Sequence, residues 1–123
     1  MTELLYRETT EKVIGAAFEV YRELGYGFLE KVYQKAMVHE LTLQGVKCEE
    51  EPPTPAIYKG VKLLDYFGDL LVEDIVMVEL KAHKVYQADD EAQLLNELKT
   101  SDLKVGMLIN FGRDGVKFKR MVF

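Results

Sequence analysis

Two apolar runs of strand length, Gly68 to Val72 and Ile75 to Lys81, stand back to back around Glu73-Asp74, and no other stretch constrains the fold as much. Their length and their acidic connection predict an antiparallel pair inside a sheet. Each run also carries charge that an interior strand does not ordinarily tolerate. Asp69 opens the first, where a carboxylate costs free energy unless it is paired or metal-bound. Val76-Met77-Val78-Glu79-Leu80-Lys81 gains two charges at alternate positions, so Glu79 and Lys81 project from the same face. Register follows from the constant sum of paired position numbers: setting Asp69 opposite Glu79 also sets Val72 opposite Val76. That pairing requires an odd-length connection, Glu73-Asp74-Ile75 or longer, or a bulge. A two-residue turn would throw Asp69 onto the face away from Glu79.

The rest of the chain supplies cover for such a hairpin. Val13, Ile14, Ala17, Phe18, Tyr21 and Leu24 recur at helical steps and predict a helix from about Thr10 to Leu24, ended by Gly25-Tyr26-Gly27. A second helix, about Leu29 to Leu43, presents Leu29, Val32, Tyr33, Ala36, Met37 and Leu41 on one face and stops at Gly45. The period then changes to two, with Val46 and Cys48 facing one way, until Pro52-Pro53 interrupts the strand. Ile57-Tyr58 and Val61-Lys62-Leu63 flank Lys59-Gly60, a pair suited to a tight hairpin. Asp89 or Asp90 can cap a third helix whose apolar stripe reads Ala92, Leu95 and Leu98, closing at Ser101-Asp102. Val105 to Phe111 reads as a buried strand, and Arg113-Asp114-Gly115 turns it into an amphipathic one through Val116 and Phe118. This order predicts an α/β fold, a mixed α+β sheet flanked by helices, and 123 residues predict a single domain over 1–123.

Charge and cysteine content narrow the partners. The net charge of −5 counts against a broad nucleic-acid surface. Its distribution is uneven, however: Lys104, Arg113, Lys117, Lys119 and Arg120 face only Asp114 as an acid in the last stretch. They are candidate phosphate contacts, or else the lysines that guard an edge strand. The single cysteine, Cys48, has no partner for a disulfide, and no Cys/His set has zinc spacing. With neither a leader-like start nor an apolar run of membrane length, the cytoplasm is the expected location.

Two adjacent carboxylates repel, and a divalent cation with oxygen ligands, Mg²⁺ or Mn²⁺ in preference to zinc, relieves that repulsion. Such an ion would polarise a phosphodiester and lower the pKa of a bound water, with Lys81 orienting the attacking hydroxide. The spacing alone serves an ordinary ion pair of Lys81 with Asp69 or Glu79 at least as well. His39 and His83 lack a Ser or Cys partner for a hydrolase triad. Cys48 reads as a small buried residue, and the Gly25-to-Glu30 loop follows a helix and lacks the third glycine of a dinucleotide site.

With these residues in view, the chain resembles the GxxExxY family, a branch of the PD-(D/E)XK nuclease superfamily. The naming motif stands as Gly27-Phe28-Leu29-Glu30-Lys31-Val32-Tyr33. Further blocks are Tyr66 to Asp74, Val78-Glu79-Leu80-Lys81-Ala82, Glu91 to Asn96, and Gly106 to Gly112. The resemblance implies a restriction-endonuclease-like core and metal-dependent hydrolysis of phosphodiester bonds in DNA or RNA. It implies Asp69, Glu79 and the Leu80 carbonyl as metal ligands and Lys81 as the catalytic lysine. Glu30 would reach the metal through water, and Gln93 would contribute to the site. By position alone, Glu30 merely complements a helix dipole, Gln93 is the capping-box partner of Asp90, and Tyr33 is packing. Where RecB-like nucleases often place a tyrosine, four residues after the glutamine, Glu97 stands and adds negative charge. A non-enzymatic interaction module that retains the nuclease fold is the competing expectation. A chain of this length also points to a homodimer or a partner protein that delivers substrate.

Overall fold

The computed structural model describes residues 2–123, with side-chain surroundings from Tyr6 onward. Its elements are α1 (Thr2–Leu24), α2 (Glu30–Leu43), β1 (Cys48–Glu50), β2 (Pro53–Tyr58), β3 (Val61–Phe67), β4 (Leu70–Val72), β5 (Val76–Lys81), α3 (Asp90–Thr100), β6 (Val105–Gly112) and β7 (Gly115–Val122). One five-stranded sheet runs β1-β4-β5-β6-β7, and β2 and β3 form a separate two-stranded sheet. Every neighbouring pair is antiparallel except β5 and β6, which run parallel because α3 carries the chain back between them. Among the described residues, no helix is long and apolar enough to cross a membrane.

The two faces of the sheet are covered differently. On one, Val76, Val78 and Leu80 of β5 and Val105, Met107, Ile109 and Phe111 of β6 pack against Val13, Ala16, Ala17 and Val20 of α1 and Tyr33, Met37 and Leu41 of α2. Tyr33 stacks flat on Phe111 at 4.3 Å between ring centroids, and its hydroxyl donates to the Gly25 carbonyl at 2.5 Å. That bond ties the α1–α2 turn to the core, and Gly25 takes the left-handed conformation (φ 71°) that ends α1. On the opposite face, Met77 and Leu108 form a smaller cluster with Leu94 and Leu98 of α3, edged by Tyr86, Leu103 and Met121. α3 sits so close that a Cβ on Gly106 would lie 2.9 Å from Leu94 Cδ1.

Several elements depart from the sequence reading for identifiable reasons. α1 begins at Thr2, before the expected Thr10, because Thr9 and Thr10 are buried and Tyr6 packs on the core. A count of apolar side chains alone misses a buried face continued by threonines. The third-helix stripe is not Ala92, Leu95 and Leu98: the buried positions are Leu94, Glu97 and Leu98. Likewise Leu29 and Val32 are exposed, and Gln34 takes a buried place on α2. The predicted Lys59-Gly60 hairpin forms, with φ 49° and 81° at the two residues, but it is longer than expected. β2 starts directly at Pro53 and runs through a bulge at Ala56/Ile57.

Candidate active site

The geometry of the candidate site begins with register. β4 and β5 pair Leu70 with Val78, Leu71 with Met77 and Val72 with Val76, the register predicted from the sequence. Glu73, Asp74 and Ile75 make the turn, the first two in the left-handed region at φ 53° and 60°. One step further along this ladder sets Asp69 level with Glu79, on the face that α3 covers. Asp69 stands just before β4, and its Oδ2 accepts the Leu80 N–H at 2.6 Å. That bond fixes its carboxylate at the end of β5.

α3 completes the arrangement from above. Gln93 Oε1 accepts from Lys81 Nζ at 3.1 Å, and Gln93 Nε2 donates to Glu79 Oε2 at 3.4 Å. One amide therefore positions both the lysine and the acid of β5. The capping box expected between Asp90 and Gln93 does not form; Asp89 is the cap residue and makes no side-chain cap bond. One turn along from Gln93, Glu97 points into the same space. Glu79 is 3% exposed and Glu97 1%, and among the described residues neither Oε1 of Glu79 nor Oε2 of Glu97 has a hydrogen-bond partner. Both oxygens face Gly68: a Cβ there would lie 3.3 Å from the first and 3.5 Å from the second.

The electrostatics reflect this crowding. Burial raises the Glu79 carboxyl well above the usual carboxylate range, helped by the adjoining Glu97 carboxyl and the charge of Asp69 and opposed by Lys81. Glu97 and Asp69 are raised too, again chiefly by burial, against hydrogen bonds that favour their charged forms. Glu30, exposed at the start of α2, adds its charge to the upward push on Asp69 but makes no hydrogen bond to the cluster among the described residues.

The structure thus gathers Asp69, Glu79, Lys81 and Gln93, sets Glu30 at the rim, and directs the Leu80 side chain into the opposite core while its N–H serves Asp69. The sequence reading set Glu97 beside Gln93 as added negative charge but did not count it among the site residues. Its signal was present in the chain: it lies at i+3 from Leu94 and i+4 from Gln93, on the buried stripe. Of the basic residues singled out near the C-terminus, Lys117 and Lys119 share this face, because β7 aligns Lys119 with Leu108 and Lys117 with Asn110. Asn110 is in turn level with Lys81 on β5. At about 4.8 Å per strand, Lys117 stands about 10 Å from Lys81. Beside Asn110 and Lys117 opens a cavity of about 380 Å³, lined also by Lys84, Val85, Tyr86 and Lys119 among others.

The donor set fits a hard divalent cation. Among the described residues, no three His, Cys, Asp or Glu side chains already stand as a ready metal cluster. The fit rests instead on an all-oxygen set around Asp69 and Glu79 and on buried carboxylate oxygens left without partners, which a cation would satisfy. The Cys48 thiol, half-buried and pushed up to about 11 by burial, is not a reactive alternative.

A sequence profile described as the PD-(D/E)XK nuclease superfamily matches residues 7–121. The crystal structure of SSO0001 superposes with a TM-score of 0.60 at 13% identity, over 75% of this chain and 48% of that one, which shows a shared fold. An alkaline exonuclease from Laribacter hongkongensis, LHK-Exo, aligns at 10% identity with a TM-score of 0.46, over 75% of this chain and 55% of the exonuclease. The chain spans about half the length of these two solved structures. No curated protein matches it in sequence.

Proposed function

The chain belongs to the PD-(D/E)XK nuclease superfamily, and from that premise we propose that it is a divalent-metal-dependent nuclease of the GxxExxY branch, hydrolysing phosphodiester bonds in DNA or RNA by attack of water. The observation that carries this reading is the convergence of Asp69, Glu79 and Lys81 on one sheet face with buried carboxylate oxygens unsatisfied. Asp69 and Glu79 would hold Mg²⁺ or Mn²⁺, with the Leu80 carbonyl beside them and Glu30 acting from the rim through water. When bound, the ion supplies Lewis-acid polarisation of the phosphodiester and a more acidic water.

The chain's own residues do the rest. The Leu80 N–H holds the Asp69 carboxylate in a fixed orientation, so that no reorganisation is needed at the moment of reaction. Gln93 steers the Lys81 ammonium to the mouth of the site, where it orients the nucleophile and offsets negative charge developing on phosphorus. Sheet and α3 together exclude bulk water from the acids, which strengthens each of these interactions. A cytoplasmic location belongs to the same proposal.

The test is a cleavage screen over single-stranded, duplex and branched DNA and RNA with Mg²⁺, Mn²⁺ or chelator. Cleavage that requires metal and disappears in Asp69→Asn and Lys81→Ala is the expected result. Activity that survives in both variants would sink the assignment.

One observation favours the second reading, an interaction module. The β2–β3 hairpin exposes Ile57, Tyr58, Val61, Leu63, Leu64 and Phe67, all more than half exposed, an apolar surface of the kind that receives a partner. A folded chain that binds no divalent cation and cleaves nothing in the screen would favour it.

A further inference from the structure

We infer that Glu97 is a third carboxylate ligand of the cation site, so that Asp69, Glu79 and Glu97 together hold one hard divalent cation. This deepens the reading of Asp69 and Glu79 above and rests on it. A carboxylate at 1% exposure must be paired or coordinated to justify its desolvation. Among the described residues Glu97 has no cationic partner within ion-pair distance, and the Lys81 ammonium is committed to Gln93. Its Oε2 has no hydrogen-bond partner among the described residues, and neither has Oε1 of Glu79. The two orphaned oxygens face one common space, the one that a side chain at Gly68 would fill.

Packing alone does not call for a carboxylate at this place. Glu97 lies on the buried stripe between Leu94 and Leu98, where an apolar side chain would pack without any electrostatic cost. Charge balance points the same way. Once ionised, as cation binding requires, Asp69, Glu79 and Glu97 against Lys81 carry a net charge of two negatives, the amount that one divalent cation neutralises. Three hard carboxylates select for Mg²⁺, Mn²⁺ or Ca²⁺ over softer ions, and the sulfur that borders the space, Met77 Sδ, is a thioether that such ions do not favour. Glu97 also comes from a different element than Asp69 and Glu79, so the ion would bridge α3 to the β4–β5 hairpin.

Calorimetric titration of the full chain with Mn²⁺ and with Mg²⁺ tests this, comparing wild type, Asp69→Asn and Glu97→Gln, each checked for folding by circular dichroism. The expected result is binding to wild type, loss in Asp69→Asn, and weakening of at least about tenfold in Glu97→Gln. Wild-type affinity in Glu97→Gln, with Asp69→Asn still defective, overturns the role of Glu97 and leaves the nuclease reading standing. No binding to wild type overturns both. A second measurement needs no variant: substoichiometric Mn²⁺ added to carbon-13-labelled wild-type protein should broaden the Glu97 side-chain carboxyl resonance together with those of Asp69 and Glu79. A Glu97 signal that stays sharp while the other two vanish overturns the inference.

Discussion

A methyl group placed on Gly68 should separate the stability of this protein from its capacity to hold a cation. In Gly68→Ala the new Cβ would lie 2.6 Å from Met77 Sδ, about 1 Å inside ordinary contact. That sulfur ends a side chain with several rotatable bonds, so it can withdraw, and Gly68 needs no left-handed backbone that alanine would resist. The cost should fall at the low end for overpacking, about 1 kcal/mol. Gly106→Ala supplies the contrast. Its Cβ would meet three atoms of Leu94 at 2.9 to 3.0 Å, in a branched side chain that is fully buried and has nowhere to go. That substitution should cost about 2 to 3 kcal/mol. The methyl at Gly68 nevertheless fills the space faced by the orphaned oxygens of Glu79 and Glu97. Urea unfolding in chelator should therefore rank Gly68→Ala above Gly106→Ala in stability, while calorimetry with Mn²⁺ should show a large loss of affinity in Gly68→Ala. Undiminished Mn²⁺ binding, or a stability loss in Gly68→Ala equal to that in Gly106→Ala, would refute the reasoning.

Further predictions concern pH, a buried amide and the lysine's support. Asp69, Glu79 and Glu97 are all raised by burial, so the fold favours their protonated forms; the stability this contributes is full below the ordinary carboxylate range and is lost as pH rises through the raised values. Metal-free protein should accordingly melt lower at about pH 8 than at about pH 5, by up to about 1.4 kcal/mol per pH unit for each proton released; a melting temperature that rises over that interval would contradict this. Asn110 is buried and exchanges two 2.9 Å hydrogen bonds with the His83 backbone, so Asn110→Ala should cost about 2 kcal/mol in urea unfolding, and a loss below about 0.5 kcal/mol would show those bonds to be incidental. Gln93→Ala frees Lys81 without removing it; kcat should fall with KM little changed, and an unaltered kcat would deny the amide its positioning role.

The central hairpin was legible because one number decides it. An odd connection between β4 and β5 places Asp69 and Glu79 on the same face, and the observed register does so. Alternation likewise placed Glu79 and Lys81 together, and Gly25 and Lys59-Gly60 marked real chain reversals through their positive φ. The third helix was harder to read because it breaks the assumption that charge faces solvent. A stripe built from apolar residues alone reads Ala92, Leu95 and Leu98, leaves Glu97 off the buried face and turns Gln93 into a cap. Once Glu97 is allowed inside, Leu94, Glu97 and Leu98 form the stripe and Gln93 falls over Lys81. The parallel pairing of β5 with β6 and the separate β2–β3 sheet depend on long-range packing that no local spacing encodes.

That parallel pair has a kinetic consequence. The Asp69–Glu79 half of the site lies within a hairpin that can close locally, whereas Gln93 and Glu97 reach it only after the whole α3 crossover has been fixed, and such non-local closures come late. The two halves are therefore separated in folding time. The acids of the hairpin meet those of α3 only as β6 docks, so the electrostatic repulsion of the finished centre opposes the last step of folding and spares the first. Divalent ions present during refolding should chiefly retard unfolding, the behaviour of contacts absent from the transition state, and an equal acceleration of folding would show the site forming early.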